Sequence, residues 1–136
     1  MTVTAVLVDS SVLLDVLTQD SKWYRWSAHA LETHAESNVL AINPIIYAEV
    51  SIRFGRIEDV EEAFPPDLFQ RAHLPWEAAF LAGKCFVRYR RKDGARRSPL
   101  PDFYIGAHAA INGWKLLTRD AGQYRTYFPG LALVSP

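Results

Sequence analysis

The sequence predicts an α/β layered fold with a mostly parallel central sheet, on three observations. Short apolar runs of strand length recur at Ala5-Val6-Leu7-Val8, Val39-Leu40-Ala41-Ile42, Leu116-Leu117 and Leu131-Ala132-Leu133-Val134. The runs are continuous rather than alternating, as expected of strands covered on both faces. Helical patterns separate them, so strands and helices alternate along the chain.

The elements follow in order. Residues 5–8 form the first strand, and after Asp9 either Ser10 or Ser11 can cap a short helix reaching residue 18. Trp23, Trp26, Ala30 and Leu31 mark an amphipathic helix. The second strand, 39–42, leads into Asn43-Pro44, an N-cap followed by proline at the first helical position, and that helix runs to about Phe54 before Gly55. An acidic helix from Ile57 to Phe64 stops at Pro65-Pro66. Phe69–Leu74 reads as a short strand, and Pro75 opens a helix to about Arg91. Pro99 and Pro101 interrupt the chain, Asp102 starts a buried helix, and Asn112-Gly113 closes it. A strand to Thr118, a turn or helix at Ala121–Tyr127 and a last strand after Pro129-Gly130 complete the pattern.

With 136 residues and 49% hydrophobic content, residues 1–136 are expected to form a single domain around one core. Fifteen basic and fifteen acidic side chains cancel, so any case for a nucleic-acid partner must be local. A lone cysteine, Cys85, allows no internal disulfide and reads as a small buried hydrophobe. The N-terminus has no basic segment or cleavage site, and every apolar run is far shorter than the ~20 residues of a membrane span. The expectation is a soluble, cytoplasmic protein without a membrane partner.

Four carboxylates stand at the edges of apolar elements. Asp9 ends the first strand, Glu49 lies within Ile45-Ile46-Tyr47-Ala48-Glu49-Val50, Asp102 opens Phe103-Tyr104-Ile105-Gly106-Ala107, and Asp120 follows Lys115-Leu116-Leu117-Thr118-Arg119. An ionised carboxylate beside a core is costly unless paired, hydrogen-bonded or bound to metal. In an open parallel sheet, Asp9 and Asp120 share the carboxyl edge where ligands bind. Asp102, at a helix N-terminus, faces the same edge and is favoured there by the helix dipole. At 100° per residue Glu49 falls between Ile45 and Ile46, on the apolar stripe, and so points inward. Converging acids repel one another, and a divalent cation turns that repulsion into binding energy. An all-oxygen set suits Mg²⁺ or Mn²⁺, and phosphodiester hydrolysis is the natural chemistry of such a site. Taken singly, Asp9 and Asp120 also read as loop acids or caps, Asp102 as an N-cap, and Asp15 as a structural or solvated acid.

These residues resemble the PIN-domain nucleases, and within them the VapC-type toxins of toxin–antitoxin pairs. The likeness is carried by Leu7-Val8-Asp9-Ser10-Ser11-Val12-Leu13-Leu14, Tyr47-Ala48-Glu49-Val50, Pro101-Asp102-Phe103-Tyr104-Ile105-Gly106-Ala107-His108-Ala109 and Thr118-Arg119-Asp120, in order and across nearly the whole chain. It implies a three-layer α/β/α sandwich and metal-dependent endoribonuclease activity by an activated water. Asp9, Glu49, Asp102 and Asp120 match the catalytic metal-binding acids, Ser11 matches a small polar position supporting the first aspartate, and Thr118 is a further supporting residue. Some members carry another acid where this chain has Gly122, so one or two metals remain open. A VapB-type antitoxin, lying across the site with its C-terminal segment, and a homodimer are also implied.

Arg88, Arg90, Arg91, Lys92, Arg96 and Arg97 crowd the stretch before Asp102 and read either as RNA-binding cations or as a solvated helix end. Glu58, Asp59, Glu61 and Glu62 read as a solvated face. Trp23, Tyr24 and Trp26 read as core or as a partner interface. His29, His34, His73 and His108 have no metal-ligand spacing, and His108 reads as packed or hydrogen-bonded. Two other classes compete: a catalytically silent scaffold of the same fold that binds RNA or protein, and a Mg²⁺-binding signalling receiver. The receiver needs a lysine after its last strands, whereas Lys115 precedes its strand.

Overall fold

The computed structural model describes residues 4–93 and 100–136 of the chain. Its elements are β1 (Ala5–Val8), α1 (Ser10–Leu17), α2 (Tyr24–Ser37), β2 (Val39–Ile42), α3 (Pro44–Ser51), α4 (Ile57–Ala63), β3 (Gln70–Arg71), α5 (Trp76–Asp93), α6 (Leu100–Asn112), β4 (Lys115–Leu117), α7 (Gly122–Tyr127) and β5 (Leu133–Val134). The five strands are ordered β3-β2-β1-β4-β5 and every neighbouring pair is parallel.

Continuous apolarity in β1 has the expected cause. Val6, Leu7 and Val8 are all fully buried, so alternate side chains meet a covered face on either side of the sheet. The path from β1 through β2 to β3 runs one way across the sheet, and the path from β3 to β4 and β5 runs back. With right-handed crossovers, this reversal places α1–α4 on one face and α5–α7 on the other, the three-layer α/β/α arrangement. Among the described residues no helix is long and apolar enough to cross a membrane.

Register sets up the carboxyl edge. Leu7 pairs with Ala41 on one side and Leu116 on the other, and Val8 pairs with Leu117. One residue further on, that register brings Asp9 beside Thr118, and the Asp9 amide continues the ladder to the Leu117 carbonyl at 2.9 Å. Lys115 opens β4 at the opposite, amino edge, where it is of no use to a receiver-type site.

Several boundaries differ from expectation. The N-cap position of α1 is Asp9 rather than Ser10 or Ser11, with no side-chain cap bond. Trp23 precedes α2, because the Asp20 carboxylate accepts from the Lys22 and Trp23 amides at 3.0 and 2.8 Å and turns the chain before the helix begins. α3 ends at Ser51, β3 is only two residues, and β5 is Leu133–Val134. α6 is already helical at Leu100, so Asp102 lies inside its first turn, with Pro101 tolerated where the amide has no intrahelical partner.

The helix ends bear out the sequence more closely. Asn43 caps α3, its Oδ1 accepting from the Ile46 amide at 2.9 Å. Gly113, at φ +67°, ends α6 with the paired bonds Trp114 N–H to Ala109 O and Gly113 N–H to Ala110 O, a Schellman closure. Gly106 is needed for a different reason: a Cβ there would stand 2.5 Å from the Phe128 ring.

Candidate metal centre

Asp9 is the anchor of the site and is only 5% exposed. Its Oδ2 accepts from Thr118 Oγ1 at 2.8 Å, Ser11 Oγ at 3.3 Å and the Tyr124 hydroxyl at 3.3 Å, Ser10 Oγ lies 3.5 Å from Oδ1, and the Ser10 backbone amide also donates to the carboxylate. Burial raises its pKa, and the hydrogen bonds, led by Thr118, pull in the other direction. Three donors on one oxygen fix the rotamer and leave Oδ1 as the freer ligand atom.

Glu49 reaches the same place from α3. Ser10 Oγ donates to its Oε1 at 2.9 Å, so one hydroxyl stands between the Asp9 and Glu49 carboxylates. Burial raises the Glu49 pKa, the Ser10 bond lowers it, and the Asp9 charge raises it further. The inward placement expected of Glu49 is realised at a half-buried position beside α1.

Asp102 enters from the other face of the sheet. Phe103, fully buried, packs on Tyr127 at 4.9 Å and Tyr89 at 5.9 Å between ring centroids and so fixes the first turn of α6. The Tyr124 hydroxyl lies 3.4 Å from Asp102 Oδ1. The carboxyl is pushed up to about 7, first by burial and then by the negative fields of Asp9, Glu49 and Asp120. Asp102 thus lies near enough to the other three acids for their charge to act on it.

Asp120 closes the set from the loop after β4. Its amide donates to Thr118 Oγ1 at 3.1 Å, and its side chain is exposed. Thr118 therefore joins two of the acids, as a supporting residue should.

Sequence reading missed Tyr124 and Ser10. Tyr124, 1% exposed, bridges Asp9 and Asp102 with a hydroxyl whose single proton can serve one carboxylate at a time. Burial and the acids around it raise its pKa well above the ordinary value, so it stays a donor. Its only signal was its place one helical turn after Asp120; as an aromatic on a short helix it looks like core. Ser10 was read only as a possible cap.

The donor set fits a hard divalent cation. Asp9, Glu49, Asp102 and Asp120 offer only oxygen, and among the described residues no Lys, Arg or His forms an ion pair with any of them. Hydroxyl donors stabilise these charges without neutralising them, and Asp102 shows the residual repulsion. Among the described residues no group of three or more His, Cys, Asp or Glu side chains is already drawn into metal-ligating geometry.

Other candidates fall elsewhere. Asp15, 2% exposed, is held by the Arg119 guanidinium at 3.0 and 3.1 Å and by Ser27 Oγ at 2.7 Å, a structural role. His108 is fully buried, its Nδ1 accepts from Asn43 Nδ2 at 3.0 Å, and burial pushes it down to about 4, so it is no general base near neutrality. That bond ties α6, which carries Asp102, to the cap of α3, which carries Glu49. Arg88, Arg90, Arg91 and Lys92 lie exposed on the last turns of α5, with Arg88 over Tyr127 at 5.4 Å and Arg90 over Phe86 at 5.9 Å. Arg96 and Arg97 lie outside the described residues. Glu58 pairs with Arg56 and Glu61 with Arg71. A pocket of about 430 Å³ opens near Tyr47, Ile57 and Arg71, and none of the four acids lines it.

The PIN domain family model matches residues 6–129. No curated protein sequence matches the chain. Among solved structures, it is similar to a chain of VapBC2 from Rickettsia felis bound to a promoter DNA fragment, with 18% identity over 97% of this chain and 98% of that one and a TM-score of 0.72. It is also similar to VapBC-1 from nontypeable Haemophilus influenzae, with 15% identity, 97% and 98% coverage and a TM-score of 0.70. A third is a toxin-antitoxin complex from Klebsiella pneumoniae, with 22% identity, 95% coverage of both chains and a TM-score of 0.67. At these identities the likeness speaks to the fold.

Proposed function

The chain belongs to the PIN domain family, and on that premise we propose that it is a Mg²⁺- or Mn²⁺-dependent endoribonuclease, the toxin of a type II toxin–antitoxin pair acting in the cytoplasm. The observation that carries the reading is the approach of Asp9, Glu49, Asp102 and Asp120 at one sheet edge, with hydroxyl donors and, among the described residues, no ion-paired cationic side chain. The partner part of the reading is supported by structural neighbours that are themselves VapBC and toxin–antitoxin complexes. It takes RNA as substrate, a VapB-type antitoxin as inhibitor and a second copy of the chain as dimer partner.

Asp9 Oδ1, Glu49, Asp102 and Asp120 would hold one or two cations. Such an ion, when bound, lowers the pKa of a water and neutralises charge on the leaving oxygen, which is what phosphodiester hydrolysis requires. The chain's own groups prepare that site. Thr118, Ser11 and Tyr124 lock Asp9 Oδ2 and so aim Oδ1; Ser10 holds Glu49 toward Asp9; and the first turn of α6 presents Asp102, whose ionised form the Tyr124 hydroxyl favours against burial and the other acids.

Cleavage of single-stranded RNA with Mg²⁺ or Mn²⁺, abolished by EDTA, is the expected result, and Asp9→Asn should lower it by at least ~100-fold with the fold intact. Full activity in a folded Asp9→Asn protein would refute the assignment. Metal binding without cleavage would instead favour the silent scaffold.

A further inference from the structure

The loop after β4 is strapped to α1 at three successive points. Thr118 Oγ1 donates to Asp9 at 2.8 Å, the Arg119 amide donates to Ser11 Oγ at 3.3 Å, and the Arg119 guanidinium takes both oxygens of Asp15 at 3.0 and 3.1 Å. Asp15 is itself enclosed: it is 2% exposed, lies within α1, and accepts from Ser27 Oγ of α2 at 2.7 Å, a residue with no exposure. The guanidinium also lies 5.8 Å from the Trp23 ring centroid. Asp120, the next residue, has no such ties. Its carboxylate is exposed, and among the described residues its hydrogen bonds run through its backbone to Thr118.

We infer that Arg119, through its forked pair with Asp15, is a positioning residue that sets the backbone from which Asp120 reaches the metal. The inference rests on reading the four acids as a metal site and adds to it a buried strut made of the acid that stands outside the set. A guanidinium is suited to this work because its planar fork fixes direction as well as distance, which an ammonium cannot do. Arg119 is hydrogen-bonded to Asp15 and Ser11 and makes no hydrogen bond to Asp120, so it acts on that acid along one peptide unit and through the field of its charge, which Arg119→Lys retains. Partners that orient metal ligands commonly change metal affinity by about 10–100-fold when altered.

The test is Mn²⁺ affinity of the full chain, read by electron paramagnetic resonance of the free ion, for Arg119→Lys and Asp15→Asn, each also in an Asp120→Asn background. Both substitutions keep the side chain's length or shape, and circular dichroism of the metal-free proteins checks the fold. Either single change should weaken Mn²⁺ binding about tenfold, the two together should weaken it no further, and the effect should shrink below about twofold once Asp120 is Asn, because coupled residues are non-additive. An affinity within about twofold of the unsubstituted protein, or a tenfold loss that persists in the Asp120→Asn background, overturns the strut. A pair that serves only the fold would lower the melting temperature and leave the Mn²⁺ affinity of the folded protein unchanged. An unsubstituted protein that takes up no Mn²⁺ overturns the metal-site reading and this inference with it.

Discussion

Replacing Asp102 by Asn should make the metal-free protein more stable while destroying its activity. The carboxyl sits at about 7 against an ordinary 3.8, so the folded state holds a proton that the unfolded chain has already released between those values. Stability is therefore fully present below about pH 4 and is lost as pH rises through 7. The full displacement corresponds to about 4 kcal/mol, and because the side chain is partly exposed, solvent screening brings a realistic figure to about 2 kcal/mol. Asn cannot ionise, yet its Oδ1 still accepts from Tyr124. At pH 8.5 in EDTA, urea denaturation should show Asp102→Asn about 2 kcal/mol more stable than the parent, or roughly 7 °C higher in melting temperature for a chain of this length. At pH 4 the two should coincide. Added Mn²⁺ should then stabilise the parent and leave the variant almost unmoved. A variant no more stable at pH 8.5, or a gain independent of pH, would refute the claim that burial and the neighbouring acids together disfavour the Asp102 charge in the metal-free fold.

Two further outcomes follow from single contacts. Tyr124→Phe removes only the hydroxyl between Asp9 and Asp102; cleavage rate and Mn²⁺ affinity should fall about 10–100-fold, measured by RNA cleavage and calorimetry, and an unchanged affinity would make Tyr124 a packing residue. Gly106→Ala drives a methyl into Phe128, which is 6% exposed and has little room to move. Chemical denaturation should show a loss of about 1–3 kcal/mol, with metal affinity of the folded protein preserved.

The layers were legible because apolar continuity has one cheap explanation, strands covered on both faces, and β1 is buried throughout. Edges were less legible where a local bond overrides pattern. The Asp20 carboxylate ends the α1–α2 turn on the Lys22 and Trp23 amides, so an aromatic that fits helical spacing lies ahead of the helix. Gln19 takes φ 51° just after α1, a position where glycine would have announced the stop. Pro101 looked like a break but sits in the first turn of α6, where proline is permitted. The acids were visible as anomalies of placement, and the resemblance pointed to Ser11 and Thr118, whereas two other hydroxyls beside the acids were not legible: Ser10 and Tyr124 are ordinary residues for a helix start and a core, and only their distance to two carboxylates each gives them a role.

Burial alone would have chosen the wrong acid. Asp15 is 2% exposed, more deeply enclosed than Glu49, and both project from helices that flank the same sheet edge. What separates them is the chemistry of their partners. Asp15 has a guanidinium across both oxygens and a serine behind it, so its charge is already compensated and adding a cation would gain little. Glu49 has one serine hydroxyl, and that hydroxyl also faces Asp9. A hydroxyl orients a carboxylate but carries no net charge to offset it, so among the described residues Asp9, Glu49 and Asp102 have no cationic ion-pair partner, with Asp120 close enough to add its field. Arg119, next to Asp120 in sequence, commits its fork to Asp15, so its closest ion pair is with a structural acid and Asp120 feels only its longer-range charge.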